Sequence, residues 1–212
     1  MAAILIVDDD PAIRAIATEF LQDGDHAIVE ARDGHEALRI LNAAPMSLSV
    51  AVNVFPEEFQ APGFADRVRD ALSATGFTPE RLEIEVTETA MLDLGRSAAA
   101  ISELQALGVK VALDDFGTGF TSFQALKELP FDTLKIDRSF VQDCLTSTAS
   151  AAIIHAVIGV GRALGVRIVC EGVETAEQAA FLKTAGAHCL QGYHFHRPLE
   201  REDLSRLAVL AA

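Results

Sequence analysis

Apolar residues recur along this chain in two alternating rhythms. Short apolar runs of strand length give way to longer stretches in which apolar positions fall every three or four residues, the spacing of one helix face. "ILIV" (4–7) is a strand candidate, and a helix is expected over 10–24, with Pro11 suited to its first turn and Ile13, Ile16, Ala17, Phe20 and Leu21 on one side. "HAIVEA" (26–31) reads as a second strand, and "DGHEALRILNAA" (33–44) as a second helix with Ala37, Leu38 and Leu41 inward. Pro45 breaks the pattern. From Met46 six more strand–helix units follow, with strands "SLSVAVNV", "RLEIEV", "VKVALDD", "DTLKID", "VRIVCEG" and "HCLQGY". Their helices include 63–75, 94–107, 150–164 and 175–185, with Gly76, Gly108, Gly165 and Gly186 placed for left-handed ends.

Strict alternation predicts a parallel sheet with helices outside it. The first segment (1–45) contributes two βα units and the second (46–212) six, which together make the count of a closed (β/α) barrel. The expected fold is therefore an α/β, TIM-like barrel. If the two pieces do not close, an open six-strand sheet with apolar edges remains, and such edges drive association.

The polar residues on these strands change the picture. Asn53, Glu85, Asp114, Asp115, Glu171 and Gln191 all fall at or near the C-terminal ends of predicted strands, and Lys135 lies two residues before Asp137. Those ends converge on the face where a barrel builds its active site. Carboxylate and amide oxygens without a Cys/His pairing describe a hard-metal site for Mg²⁺ or Mn²⁺. A single strand-end acid, such as Glu88, reads as a cap for the next turn; a set recurring on successive strands asks for more. The net charge of −14 argues against a nucleic-acid polymer as partner, because phosphate binding wants excess Lys and Arg. Cys144, Cys170 and Cys189 show no CxxC spacing and read as buried thiols. No basic leader opens the chain and no apolar run reaches membrane-spanning length, so a soluble, cytoplasmic protein is expected.

"VNVFPEEF", "LEIEVTET", "ALDDFGTGFTSFQALKELPFDTLKIDRSFV", "VCEGVET" and "LQGYHFHRPL" occur in that order between residues 48 and 199. In these motifs the chain resembles the C-terminal two-thirds of an EAL-type cyclic di-GMP phosphodiesterase domain. The resemblance implies that Asn53, Glu85, Asp114, Asp115 and Glu171 hold two divalent metals, with Asp114 between them. It implies that Lys135 orients the attacking water and that Gln191 assists. Glu88 and the "DFGTGF" loop would couple this site to substrate binding and to a homodimer. The implied reaction opens cyclic di-GMP to linear pGpG by two-metal hydrolysis.

Residues 1 to about 42 resemble instead the opening half of a response-regulator receiver domain, with Asp8 and Asp9 matching its acidic pair. The phosphoacceptor aspartate and the later Thr/Ser and Lys positions have no counterpart, so control by phosphorylation is not expected. The EAL family's first two strands, with the E-A-L glutamate, are not found ahead of "VNVF". "HEALRIL" spells the motif at Glu36, Ala37 and Leu38, but reads as ordinary helix spacing too close to Asn53. Two readings stay open: a phosphodiesterase whose rate is reduced or lost, and an inactive signalling module that binds cyclic di-GMP or a partner protein. An internal deletion in a longer protein is a third. "GVGRALG" (159–165) lies mid-helix and reads as small-residue packing rather than a nucleotide loop. His194 and His196 read as rim residues.

Overall fold

The computed structural model describes residues 2–7, 26–31, 49–91, 93–117 and 123–195. Two compact units are present: one comprises Met1–Val50, Val68–Arg81 and His196–Ala212, the other Ala51–Arg67 and Leu82–Phe195. In the first, strands β1 (Ala2–Val7) and β2 (His26–Ala31) pair in parallel, from Ala2 opposite His26 to Val7 opposite Ala31. The helices expected over 10–24 and 33–44 lie outside the described residues, as do Asp8, Asp9 and Glu36.

The second unit carries the chemistry. Its six-stranded sheet runs in chain order β3 (Val50–Asn53), β4 (Leu82–Thr87), β5 (Lys110–Phe116), β6 (Thr133–Ile136), β7 (Arg167–Cys170) and β8 (Cys189–Leu190). Parallel neighbours that follow one another in sequence require a crossover between each pair, and helices supply them. These are α1 (Pro56–Phe59), α2 (Phe64–Thr75, of which the part from Val68 is counted with the first unit), α3 (Leu94–Ala106), α4 (Phe123–Glu128), α5 (Arg138–Asp143), α6 (Thr148–Leu164) and α7 (Ala176–Ala185). This is an α/β, six-stranded parallel half-barrel of TIM-like kind; among the described residues β1 and β2 form a sheet of their own and do not extend it to the expected eight strands.

Burial explains why the strands read as nearly unbroken apolar runs. Ile84, Val86, Val111, Leu113, Leu134, Ile136 and Ile168 are all buried, as are Ile101, Leu104, Ile154, Ile158 and Leu182 on the helices. Gly161 lets α6 approach β7 closely. A Cβ there would lie 2.2 Å from Ile168 Cδ1, so "GVGRALG" is packing, as its mid-helix position predicts. Ser147 caps α6 by accepting from Ser150 N–H, and left-handed Gly165 closes it.

β3 begins three residues later than "SLSVAVNV" suggests, and β8 keeps only two residues of "HCLQGY". The cause of the second difference is local. The Gln191 N–H donates to Cys170 C=O, while the Gln191 C=O accepts from Val173 N–H. Gly192 then presses on the Val173 backbone so closely that a Cβ would sit 2.2 Å from its carbonyl oxygen. The chain turns onto the loop after β7 instead of extending the ladder.

Candidate active site

Register alone brings most of the strand-end polar residues to one face. Glu85 is opposite Ala112, and Ala112 opposite Thr133; Lys135 is opposite Val169, and Val169 opposite Cys189. Side chains alternate faces along a strand, so a step of two keeps the face. Two residues beyond Ala112 is Asp114, two beyond Thr133 is Lys135, two beyond Val169 is Glu171, and two beyond Cys189 is Gln191. Glu85, Asp114 and Lys135 therefore share one face at the C-terminal edge, Lys135 meets Glu171 there, and Gln191 lies just past the end of β8.

Asp115 breaks that rule. Its neighbour Asp114 already points to the shared face, so plain alternation sends Asp115 to the other one. The β5–β6 register shifts between Leu113 and Phe116, and Asp115 takes the left-handed conformation at φ 53°. A bulge re-aims a side chain in this way, and Asp tolerates the left-handed region better than most residues. The result is a cluster in which ligand oxygens of Asp114, Asp115 and Glu171 all lie within 4.8 Å of one another. Asp115 N–H also donates to Asp114 Oδ1 at 2.9 Å, fixing that carboxylate.

Lys135 sits at the centre. Its Nζ lies 2.7 Å from Glu85 Oε1, 3.0 Å from Asp114 Oδ1 and 2.7 Å from Glu171 Oε1. An ammonium has three hydrogens, and three carboxylates are there to receive them. Glu85, Asp114 and Lys135 are buried. Burial is the largest influence on Glu85 and Glu171 and pushes both carboxyls above their ordinary range; Lys135 pulls each back, and the neighbouring carboxylates push again. Burial also raises Asp115, with Asp114 and Asp137 adding to it. For Lys135 burial opposes the charge, but hydrogen bonds to Glu171 and Glu85 outweigh it and hold the proton more tightly than usual.

A stability signature follows. The folded Glu85 carboxyl titrates above its ordinary 4.5, so between the two values the native state binds more protons than the unfolded chain. Stability from this group therefore falls as pH rises from the unfolded value through the folded one. In chelator, the unfolding free energy of the wild type minus that of Glu85→Gln is expected to decline as pH rises above the ordinary carboxyl value of 4.5. A difference that is flat or rises would contradict a Glu85 carboxyl raised by burial.

The other candidates fall around this core. Asn53 ends β3 and is exposed; the following Val54 N–H donates to the Glu85 C=O at 2.9 Å, so Asn53 stands beside the Glu85 strand. Gln191 follows β8 and is also exposed. Glu88 opens the short 3₁₀ turn Glu88–Met91, yet its carboxylate accepts the Gly117 N–H at 2.8 Å. It ties down the start of the loop after β5 rather than only capping its own turn. Phe140 backs the same point, 2.8 Å from where a Gly117 Cβ would be. Residues Thr118 to Phe120 of "DFGTGF" and His196 lie outside the described residues. His194 is exposed and packs edge-on to Phe195 with ring centres 5.0 Å apart. Cys144 and Cys170 are buried, Cys189 partly so, and burial pushes the Cys170 thiol up to about 12.

Sequence reading assigned no role to Asp137. Its carboxyl is close enough to Asp115 to hydrogen-bond it and raise its pKa. Although burial opposes its own ionisation, hydrogen bonds from the side chain and backbone of Ser139 hold Asp137 below its ordinary value. The signal is present in "TLKID", where Asp137 follows the last residue of the Lys135 strand and caps the next helix by accepting from Ser139 N–H.

The donor set suits a hard divalent cation. The oxygens are carboxylate, they converge, and Lys135 alone does not balance Glu85, Asp114, Asp115 and Glu171. A family model for the EAL domain matches residues 26–198. The chain belongs to the EAL domain family. The match reaches back to His26, into the stretch that resembles a receiver. MucR of Pseudomonas aeruginosa, a bifunctional diguanylate cyclase/cyclic di-GMP phosphodiesterase, is 43% identical over 157 residues, covering 74% of this chain and 23% of MucR. The solved PaMucR phosphodiesterase in complex with c-di-GMP is 40% identical at a TM-score of 0.75, over 80% of this chain and 71% of that one. BlrP1 of Klebsiella pneumoniae, solved with manganese and cy-diGMP, is 30% identical at a TM-score of 0.72, over 79% and 43% of the two chains. This EAL chain spans about a fifth of the length of the curated relatives it matches. No helix among the described residues is long and apolar enough to cross a membrane.

Proposed function

We propose that this EAL chain binds cyclic di-GMP over the C-terminal edge of its sheet and hydrolyses it to linear pGpG with two divalent ions, Mg²⁺ or Mn²⁺. The observation that carries the proposal is the convergence of Asp114, Asp115 and Glu171 oxygens within 4.8 Å, next to a buried lysine paired to Glu85, Asp114 and Glu171. Asn53, Glu85, Asp114, Asp115 and Glu171 would hold the ions. Bound there, divalent ions supply a hydroxide near neutral pH and stabilise charge on the phosphate.

The chain's own residues do the rest. Lys135 gathers three ligand carboxylates and keeps them from splaying; for it to orient a water as well, one of those hydrogens must be released. Asp115 in its strained conformation brings a second carboxylate to the same side as Asp114. Gln191, just past the end of β8, would assist at the ligand, as the family resemblance implies. The homodimer implied by the family resemblance and the cytoplasmic location expected from the sequence belong to this reading. The receiver-like character of the segment ahead of Asn53, where the E-A-L strand is expected, favours a second reading: a module that binds the dinucleotide without cleaving it.

The test is hydrolysis followed by chromatography. Purified protein with cyclic di-GMP and Mn²⁺ is expected to yield pGpG, and EDTA in place of Mn²⁺ to stop the reaction. A folded sample that yields none with Mn²⁺ overturns the enzyme reading, and calorimetric titration with cyclic di-GMP then decides the second.

A further inference from the structure

Gln178 lies outside the catalytic cluster, is 6% exposed and spends its whole side-chain amide on backbone. Its Oε1 accepts from Glu174 N–H at 2.8 Å and Thr175 N–H at 3.0 Å. Its Nε2 donates to the Val141 carbonyl at 3.3 Å and the Gln142 carbonyl at 3.4 Å. The first pair, with Thr175 Oγ1 accepting from Gln178 N–H, is the capping box of α7. A capping box serves its own helix, and the bonds to Val141 and Gln142 reach 37 and 36 residues away. Those two carbonyls belong to α5, the helix that begins directly after Lys135, Ile136 and Asp137. Glu174 and Thr175 belong to the loop that begins with Glu171.

The same two segments are pinned once more beside the ion pair. Glu171 N–H donates to the Ile136 carbonyl at 3.1 Å, and a Cβ on Gly172 would stand 2.4 Å from Arg138 Cβ. So the loop from Glu171 to Thr175 and the stretch from Lys135 to Gln142 are fastened at both ends, near the site by backbone and far from it by one glutamine. A misplacement of catalytic groups by about 1 Å can cost on the order of 100-fold in rate.

We propose that Gln178 is a positioning residue for the Glu171–Lys135 pair: its amide braces the loop carrying Glu171 against the helix that follows Lys135, and so sets the spacing of the carboxylate cluster. This rests on the metal-site reading for its consequence in metal affinity, but not for its consequence in backbone motion. It asks nothing of Gln178 in contact with metal or ligand.

The test compares Gln178→Met, Gln178→Glu and Thr175→Ala in the full chain. Thr175→Ala removes a cap bond and leaves the brace. Gln178→Glu keeps the acceptor for Glu174 and Thr175 N–H and removes the amide donor to α5, which guards against loss of folding in Gln178→Met. Both Gln178 variants are expected to weaken Mn²⁺ binding, read by calorimetry, by about 10-fold or more, the scale seen when groups supporting metal ligands are lost. They are also expected to speed hydrogen exchange at the Glu171 amide without metal. Thr175→Ala is expected to leave both readings within about twofold while lowering the melting temperature. Faster Glu171 exchange confined to the Gln178 variants, in a chain that binds no Mn²⁺, would uphold the brace and overturn the metal-site reading. Unchanged exchange in both Gln178 variants, or an equal change in Thr175→Ala, would overturn the brace.

Discussion

Asp114→Asn is expected to abolish measurable pGpG formation, a loss greater than about 100-fold, because removing a metal ligand should exceed the cost of losing the groups behind one. That corresponds to more than about 2.8 kcal/mol of barrier. Asp114 sits among the other charged groups of the site: Lys135 at 3.0 Å, the Asp115 N–H at 2.9 Å, and the oxygens of Asp115 and Glu171 within 4.8 Å. An asparagine keeps the shape and can still accept from both donors through Oδ1, so the fold should survive. What it lacks is a charge, and one of its two oxygens becomes an amide nitrogen that repels a cation. Initial rates with saturating Mn²⁺ provide the check, with circular dichroism confirming that the variant is folded. A variant that retains wild-type rate would remove Asp114 from the site.

Lys135→Met is expected to produce the largest loss of stability of any single change in the cluster. Breaking a buried ion pair by removing one partner typically costs about 3–5 kcal/mol, and here one cation leaves three carboxylates behind. A domain's whole stability is only about 5–15 kcal/mol, so the variant should be close to unfolding in chelator. Two features distinguish this from a simple packing defect. The loss should be smaller at low pH, where Glu85 and Glu171, already pushed up by burial, take protons and shed their charge. It should also be partly reversed by Mn²⁺, which supplies the missing positive charge and binds only the folded state. Urea unfolding at two pH values, with and without Mn²⁺, measures both. A loss that depends on neither pH nor Mn²⁺ would mean that Lys135 contributes packing and not charge.

Much of this site was legible in the sequence, for a physical reason. Strands buried on both faces announce themselves as apolar runs, so a polar residue at the end of one stands out, as Glu85, Asp114 and Glu171 do. Motifs of the EAL family fixed their order. What the sequence could not carry is geometry set by a neighbour. The adjacent pair Asp114–Asp115 looks like two ligands, yet period-two alternation would separate them; only the register shift and the left-handed Asp115 bring them together. Lys135 invited a role toward water, but its position among three acids depends on the stagger of four strands. Glu88 resembled a local cap because its partner, Gly117, is 29 residues away. Gln178 drew no reading from the sequence beyond its place early in the helix expected over 175–185, yet half of its side-chain bonds go to another helix. The shortness of β8 is likewise set by a neighbour, because Gln191 and Gly192 turn onto the Val173 backbone, 18 or more residues away in sequence.

The central claim is that the carboxylates gathered around Lys135 hold a divalent ion. Anomalous diffraction at the manganese edge, from crystals grown with Mn²⁺ and cyclic di-GMP, tests it most directly. The structure predicts an anomalous peak bounded by Asp114, Asp115 and Glu171. A well-ordered cluster with no peak there, or manganese bound only elsewhere, would contradict it.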